Sequence, residues 1–591
     1  MFIKVSDYII KFLEEKKIRD VFVVSGGAAL HLINSAGLSK KVNIIPMVHE
    51  QAAAMAADNY SRVTNNIGAA IVTSGPGATN LVTGVCGAYF DSIPTIYITG
   101  QVSTFRSKNK TGVRQIGFQE TDCISIFKSI TKYAVKIKKA DEIVYELHKA
   151  YHIATSGRKG PVLIDIPDNL QRQKINIKKI KKYKANKLKL YNKNNLNNKI
   201  KQMIKMTNIA KRPIIILGWG IHLSNSSKII KKLCKKIGFP VVTTWAMAHL
   251  FEAKDPLSIG TWGTHGTRFS NLAVQNSDLV ISIGSRLDTK ATGSPVSTFA
   301  REAKKIMIDI DETELNKFKN YNLKIDLKIN CDANKIIQKL LKKKLSTNKV
   351  EVNKWFIQIN KWKEKYPIVL KKYYKEKEIN PYIFVKKLSA ECKKNELICV
   401  DTGCAIAWMM QAFEFKKDQK LFHDFNNTAM GWALPGAIAA SIALKRRKII
   451  SVIGDGSFQL NIQELGTLVK HNLPIKIFLI NNSGQSMIRQ TQEQWLNAKY
   501  FASSFEGGLP KINFLNIATE YGLKTFSCSL NKSLKEIIRK TIQSKGPALC
   551  EIKINTSHRV VPQVKFGYPN EDLEPLLPRK EFLQNMIIKA L

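Results

Sequence analysis

The chain has 591 residues, 44% of them hydrophobic, more than one core holds, so roughly two to four domains are expected. A formal net charge of +47 would suit a nucleic-acid partner, but the lysines crowd into linkers and outer helix faces without aromatic interleaving. A solvated basic surface is the simpler reading, and with no apolar run near the roughly 18 residues of a membrane span, neither nucleic acid nor membrane is expected as a partner.

The opening "MFIKVSDYIIKFLEEKKIRDVFVVSGG" reads as an amphipathic helix followed by a strand, which is a domain start and lacks the pattern of a signal or transit peptide. Strand–helix units continue to "GPVLIDIPDN", giving a first domain over 1–175. The polar run from Lys178 to Lys199 predicts a linker over 176–200. A central domain over 201–341 opens with "RPIIILGWG" and closes with "KKIMIDIDETELNK". "KKKLSTNKVEVNK" begins a second linker over 342–379, and a third unit spans 380–555. The proline-bearing tail 556–591 reads as irregular structure that covers something. Buried strands such as "IISVIGD" alternate with helices, which predicts an α/β protein of three doubly wound parallel-sheet domains. Nine cysteines without a C-x-x-C pair indicate neither zinc nor disulfides, and a reducing cytoplasm is the simplest compartment.

In doubly wound sheets ligands lie beyond the carboxyl ends of strands, and the motifs of this chain fall there. "SVIGDGSFQL" carries Asp455 between two glycines at a strand end. A helix and a further strand later stand Asn481, Asn482, Ser483 and Gly484. Asp455 and Asn482 thus place hard oxygens on one rim, as Mg²⁺ wants, and the amides of Gly456 and Ser457 open a helix that would hold a phosphate. The spacing and residues resemble the diphosphate and metal motif of thiamin-diphosphate enzymes. That resemblance assigns the metal to Asp455, Asn482 and Gly484.

The same resemblance requires a carboxylate for the pyrimidine ring of thiamin diphosphate. "MVHEQAAAMAADNYSR" supplies Glu50, where a strand gives way to a small-residue helix. "VFVVSGGAA", "TSGPGATN", "DSIP" and "TGQV" follow in the order of the acetolactate synthase branch. This implies Pro76 and Asn80 near the pyrimidine, Gln101 near the reaction centre, and, from "GFQET", Phe118 and Gln119 over the substrate. In the third domain "DTGCAIAW" stands where a second diphosphate loop belongs. After Gly403, which the branch shares, Cys404, Ala405 and Ile406 stand where it commonly has Gln-His-Gln, leaving mainly backbone contacts. "NNTAMGWALPGAIAA" places Met430 as the wedge between the cofactor rings, with the Thr428 carbonyl and Met430 amide on the pyrimidine edge. "SGQSMIRQTQ" adds Met487 to the cofactor site. At Thr491 the branch usually carries a tryptophan that narrows the acceptor pocket, although Trp495 could restore the bulk.

The central unit binds flavin in that branch. "GTHGT" and "IGSRLDTKATG" resemble it, implying Gly266 and Arg286 as FAD contacts, with Asp309 and Asp311 near the adenosine end. Gly218-Trp219-Gly220 departs from the usual glycine triplet, so a working FAD site and a relic that keeps the sheet without the ligand both stay open. The leading expectation is a carboligase acting on small 2-keto acids. A decarboxylase, oxidase or diketone hydrolase with the same cofactor, and a non-catalytic basic binding protein, are the alternatives. Glu50 and Asp455 lie far apart in sequence yet serve one cofactor, so the resemblance implies a homodimer or homotetramer and leaves open a regulatory subunit.

Overall fold

The computed structural model describes residues 2–185 and 193–591. Among the described residues it contains three six-stranded parallel sheets and two short antiparallel ribbons. Numbered along the chain within each sheet, the strands of the first and third sheets run 2-1-3-4-6-5, and those of the central sheet 3-2-1-4-5-6. The central order is that of dinucleotide-binding folds, and in all three sheets the order reverses beside strand 1. That reversal splays the flanking loops and opens a crevice at the strand ends.

The strands are apolar along their whole length because helices cover both faces. In the central sheet Pro213–Leu217 is buried throughout, with Ile214 and Ile216 fully hidden. The first and third domains meet through two small-residue helices, Glu50–Thr64 and Ala433–Ala443. Ala52, Ala53, Ala54, Ala56 and Ala57 are all buried, and Asn59 Nδ2 donates to the Gly436 carbonyl at 2.6 Å across the seam. Gly68 allows the same helix to lie on its sheet: a Cβ there would stand 1.9 Å from the Ala57 oxygen.

Two connecting stretches hold more structure than their lysines suggest. The stretch expected as a linker over 176–200 falls partly outside the described residues, and a helix already begins at Lys193. Within 342–379 lies the helix Lys349–Lys365, whose Val352, Trp355, Ile359 and Trp362 form one buried stripe at helical spacing. Trp362 Nε1 donates to Asn585 Oδ1 of the tail at 2.9 Å. The tail packs back on the central domain, where Arg268 donates to the Leu573 and Pro575 carbonyls at 3.2 and 2.8 Å. It also grips the helix Ser486–Trp495, since Gln490 and the Val560 backbone exchange two hydrogen bonds of 2.9 Å. Among the described residues no helix is long and apolar enough to cross a membrane.

Candidate active site

The crevice of the third sheet opens between the strands Leu397–Val400 and Ile449–Gly454. Asp455 follows the second of these directly and is buried. Its Oδ1 accepts from the Gly456 amide at 2.8 Å and its Oδ2 from the Gly484 amide at 3.0 Å. Burial pushes this carboxyl up to about 6, against the pull of the Gly484, Gly456 and Asn482 amides and of Arg489. Asn482 follows the neighbouring strand Ile475–Asn481, and its buried Oδ1 has no hydrogen-bond partner. Arg489 Nη2 donates to the Asn482 carbonyl at 2.6 Å and to Ser486 Oγ at 2.8 Å, which fixes the loop carrying both. A buried amide oxygen without a partner beside a carboxylate is a hard, oxygen-only donor pair. The residues present fit a magnesium-bound diphosphate. Among the described residues no cluster of three or more His, Cys, Asp or Glu side chains could hold a metal on its own, so phosphate oxygens would complete this donor set.

Other expected residues gather on the same rim. The Met430 Cε lies 3.5 Å from where a Cβ on Gly456 would stand, so Met430 and the Gly456 turn share one place. Ser457 is buried one residue further on. Gly403, at φ +76, precedes the helix Cys404–Ala412 and faces open space. Cys404 is buried, and burial pushes its thiol up to about 12, so it offers no nucleophile. Met487 is half-buried against the third domain's core. Thr428 stands at φ +52, in the left-handed region that a non-glycine residue rarely adopts.

Glu50, Pro76, Asn80 and Gln119 form a second group, on the first sheet. Glu50 is the first residue of its helix, and His49 caps that helix by accepting from the Gln51 amide at 3.1 Å. Asn80 Nδ2 donates to Glu50 Oε2 at 2.9 Å, and Pro76 opens the short turn that presents Asn80. The backbone of Gln119, at φ +64, approaches Gly75, while the neighbouring Phe118 is 85% exposed. Gln101 ends the strand Thr95–Gln101 of the same sheet. It is fully buried, donating to the Thr121 carbonyl at 2.8 Å and to Asp165 at 3.0 Å. It therefore supports the Phe118 loop from behind. Among the described residues no hydrogen bond or ion pair joins Glu50, Asn80 or Gln119 to Met430, Asp455 or Asn482.

The central crevice has two lobes. The larger, about 460 Å³, has Trp219, Trp245, Trp262 and Phe425 in its walls and reaches Thr428. The buried Nε1 of Trp219, Nε1 of Trp262 and Oγ1 of Thr244 have no partner there. The smaller lobe, about 110 Å³, lies beside Asp309 and Arg158. Burial pushes the Asp309 carboxyl up to about 6. Arg286 stands at the waist, its Nε on Glu314 at 3.1 Å and its Nη1 on the Phe90 carbonyl at 3.2 Å. Arg158 closes the small lobe by pairing with Asp311 at 2.9 Å and Glu314 at 2.8 Å. Gly266 lies outside both linings, and its missing side chain is explained by packing, since a Cβ would meet Asn271 Oδ1 at 2.6 Å. The large lobe fits a ring system, whereas the small one is about a quarter of its volume and is walled by Arg158 in its pairs with Asp311 and Glu314.

Several organising residues escape sequence reasoning because their roles exist only in three dimensions. Asp401 is fully buried and accepts from the Thr402, Gly431 and Ala433 amides at 3.0, 3.1 and 2.8 Å, tying the loop before Gly403 to the Met430 stretch. Glu464 of the third domain accepts from the Val48 and His49 amides at 3.0 and 3.1 Å, setting the entry to the Glu50 helix.

Three such sheets, with an oxygen pair at the strand ends of the third, suit an enzyme that uses a diphosphate cofactor, and family comparison agrees. Residues 3–126, 200–340 and 401–552 match the N-terminal TPP binding, central and C-terminal TPP binding domains of thiamine pyrophosphate enzymes. The chain belongs to that family and uses its cofactor. It is 34% identical over 593 residues to the acetolactate synthase large subunit of Cyanidium caldarium, covering 98% of this chain and 97% of that protein. It is 34% identical over 568 residues to a probable acetolactate synthase large subunit of Methanococcus aeolicus, covering 93% and 92%. The mitochondrial acetolactate synthase catalytic subunit of Saccharomyces cerevisiae is 30% identical over 580 residues, covering 94% and 81%.

Proposed function

We propose that this chain is a thiamin-diphosphate-dependent carboligase of the acetolactate synthase type. It decarboxylates pyruvate and adds the two-carbon unit to a second 2-keto acid or related carbonyl compound. The observation that carries this reading is the Asp455 and Asn482 oxygen pair at adjacent strand ends, in a chain similar along its whole length to acetolactate synthases. When bound, the cofactor supplies the electron sink for cleaving and forming the carbon–carbon bonds. Asp455, Asn482 and the Gly484 loop would hold magnesium and diphosphate, Gly456 and Ser457 the phosphate oxygens, and Thr428, Met430 and Met487 the rings. Glu50 would hold a proton against the pyrimidine, kept in line by Asn80, with Phe118 and Gln119 over the substrate. Product analysis after incubation with thiamin diphosphate, magnesium and a panel of keto acids and aldehydes tests this; no carbon–carbon bond formation would overturn it.

Two copies are the minimum unit of this proposal, with a tetramer compatible. Glu50 and Asp455 lie in separate groups within one chain, and Val48, Phe105, Ile116 and Phe118 of the first domain leave apolar surface at 56%, 71%, 57% and 85% exposure. A partner's third domain would cover that surface and bring its own Asp455 to this Glu50. A regulatory subunit remains compatible with this arrangement.

FAD is the proposed ligand of the central crevice only after Arg158 leaves Asp311 and Glu314. Protein incubated with FAD and then gel-filtered is therefore expected to retain less than one flavin per chain, read by absorbance. Tight, stoichiometric retention would show that the small lobe opens at little cost.

Acceptor choice follows from Thr491. Its Oγ1 donates to the Met487 carbonyl at 3.1 Å, so the hydroxyl is satisfied by its own helix and the residue acts by its small size. Against Trp495 restoring the missing bulk stand its 59% exposure and its edge-on contact with the tail's Phe566 at 5.8 Å. The wild type is expected to discriminate weakly between 2-ketobutyrate and pyruvate and to accept bulkier or hydroxylated carbonyls, such as sugar-derived ones. Thr491→Trp is expected to shift a paired-acceptor competition toward 2-ketobutyrate by about tenfold or more. Strong 2-ketobutyrate preference in the wild type, unchanged in the variant, would remove position 491 from the specificity pocket.

A further inference from the structure

The backbone that carries Thr428 and Met430 is gripped by charges wholly inside the protein. Arg62, near the end of the Glu50–Thr64 helix, is 1% exposed. Its guanidinium lies near the Trp219 ring of the central domain and the Trp432 ring of the third, 5.8 and 5.5 Å from the two centroids. Nε and Nη2 donate to the two Asp58 oxygens at 2.9 and 3.1 Å, and Nη2 also reaches Asp91 at 2.8 Å. Asp91 belongs to the first domain, yet it accepts from the Phe425 and Asn426 amides of the third at 2.9 and 3.1 Å. Asp424, buried beside them, closes the turn from its other side. Its carbonyl accepts from the Thr428 amide at 2.9 Å and its Oδ2 from the Ala429 amide at 3.1 Å. Gly87 makes this approach feasible, because a Cβ there would stand 3.0 Å from Asp424 Oδ2.

We infer that Asp91 and Asp424, gathered around Arg62, are positioning residues that set the Asp424–Met430 turn against the cofactor, so that docking of the first domain on the third shapes the pyrimidine side of the site. The inference rests on the thiamin diphosphate reading above. Two carboxylates pair with one guanidinium, a third, Asp424, lies within its electrostatic reach, and Arg62 Nη1 and Asp424 Oδ1 have no partner. Two anions against one cation is the most such a site sustains at modest cost, so the third acid stays neutral.

Burial, and then the Asp91 charge, push the Asp424 carboxyl up to about 8, against the opposing pull of Arg62. The groups facing this centre are Arg62 and Asp58 from the helix, Cys86 and Asp91 from the segment after it, His222 through the Arg62 carbonyl, and His423 beside it. Burial holds both histidines neutral. Because the Asp424 pKa is raised in the fold, its contribution to stability is full below the ordinary carboxylate value and is lost as pH rises through about 8. In the native protein, ionisation above that point places a third anion against one cation and loosens the turn.

The test uses the full-length protein with thiamin diphosphate and magnesium. Asp91→Asn is expected to lower kcat/KM for pyruvate about a hundredfold through misplacement of the turn, and to weaken cofactor affinity in calorimetric titration. Asp424→Asn cannot ionise, so its ratio of turnover at alkaline to neutral pH is expected to rise above that of the wild type. Wild-type affinity and kcat/KM in a folded Asp91→Asn, or an unchanged alkaline decline in Asp424→Asn, would overturn the inference. Should Asp91→Asn fail to fold, the Asp424→Asn pH profile decides alone. If the wild type binds no thiamin diphosphate, the functional reading fails. Amide exchange at Phe425 and Asn426, faster in Asp91→Asn, then still reports the grip on the turn apart from its use.

Discussion

Replacing Glu50 by glutamine is expected to cut turnover by about a hundred- to ten-thousandfold, the range for loss of a group that moves a proton, while leaving the fold intact. Glutamine matches glutamate in shape, and its oxygen can still accept from Asn80, which stands 2.9 Å from Oε2. The helix start is independent of the charge, because His49 caps it and Glu464 holds the Val48 and His49 amides. What disappears is the negative charge that would hold a proton against the pyrimidine. Two measurements separate this from a packing effect: cofactor affinity should stay near wild type, and proton exchange in the bound cofactor should slow with turnover. Wild-type exchange in a folded variant would show that Glu50 is not the activating carboxylate. Asn80→Ala is expected to give a smaller loss, since it frees the carboxylate without removing it.

Replacing Asp455 by alanine is expected to weaken magnesium-dependent binding of thiamin diphosphate by about a hundredfold or more. The Asn482 oxygen remains, but one neutral amide cannot hold a hard dication that prefers anionic oxygen. The variant also frees the Gly456 and Gly484 amides that Asp455 accepts, so the two loops lose their common anchor. Asp455→Asn keeps an oxygen in place and removes only the charge, and it should lie between alanine and wild type. Cofactor affinity and metal dependence unchanged in both would mean that the strand-end pair does not hold the metal. A pH dependence follows with a definite sign. The Asp455 carboxyl is raised to about 6 in the fold, so without metal its contribution to stability is lost as pH rises through that value. Metal binds the ionised form, so cofactor affinity should rise over the same interval, and magnesium should raise the melting temperature more above pH 6 than below it.

Much of this site was readable in one dimension because its chemistry is local. Asp455 with Gly456 and Ser457, or Glu50 after His49, each need only a strand end, a tight turn and the first residues of a helix, and a short stretch of chain encodes all three. The three sheets were legible for the same reason: fully buried strands such as Pro213–Leu217 must be continuous apolar runs. The helix Lys349–Lys365 was harder to see, since its stripe of Val352, Trp355, Ile359 and Trp362 is diluted by lysines and shows only at helical spacing.

Tertiary structure alone decided how the pieces are held. Gln101 shows no partner in its motif, yet the fold buries it against Asp165 and Thr121. Arg62, Asp91 and Asp424 come from separate stretches, and nothing in any one of them marks it as part of a buried cluster. Their charges acquire meaning only when packing removes water and gathers three acids around one base. The strand order that reverses beside strand 1 of each sheet is likewise a property of long-range pairing, invisible to periodicity. Sequence by itself determined which groups can bind a metal, hold a phosphate or carry a proton, because those capacities belong to side chains and their immediate backbone. Only the tertiary structure decided which are buried, which are paired and which face the crevice, because burial and pairing depend on residues far away along the chain.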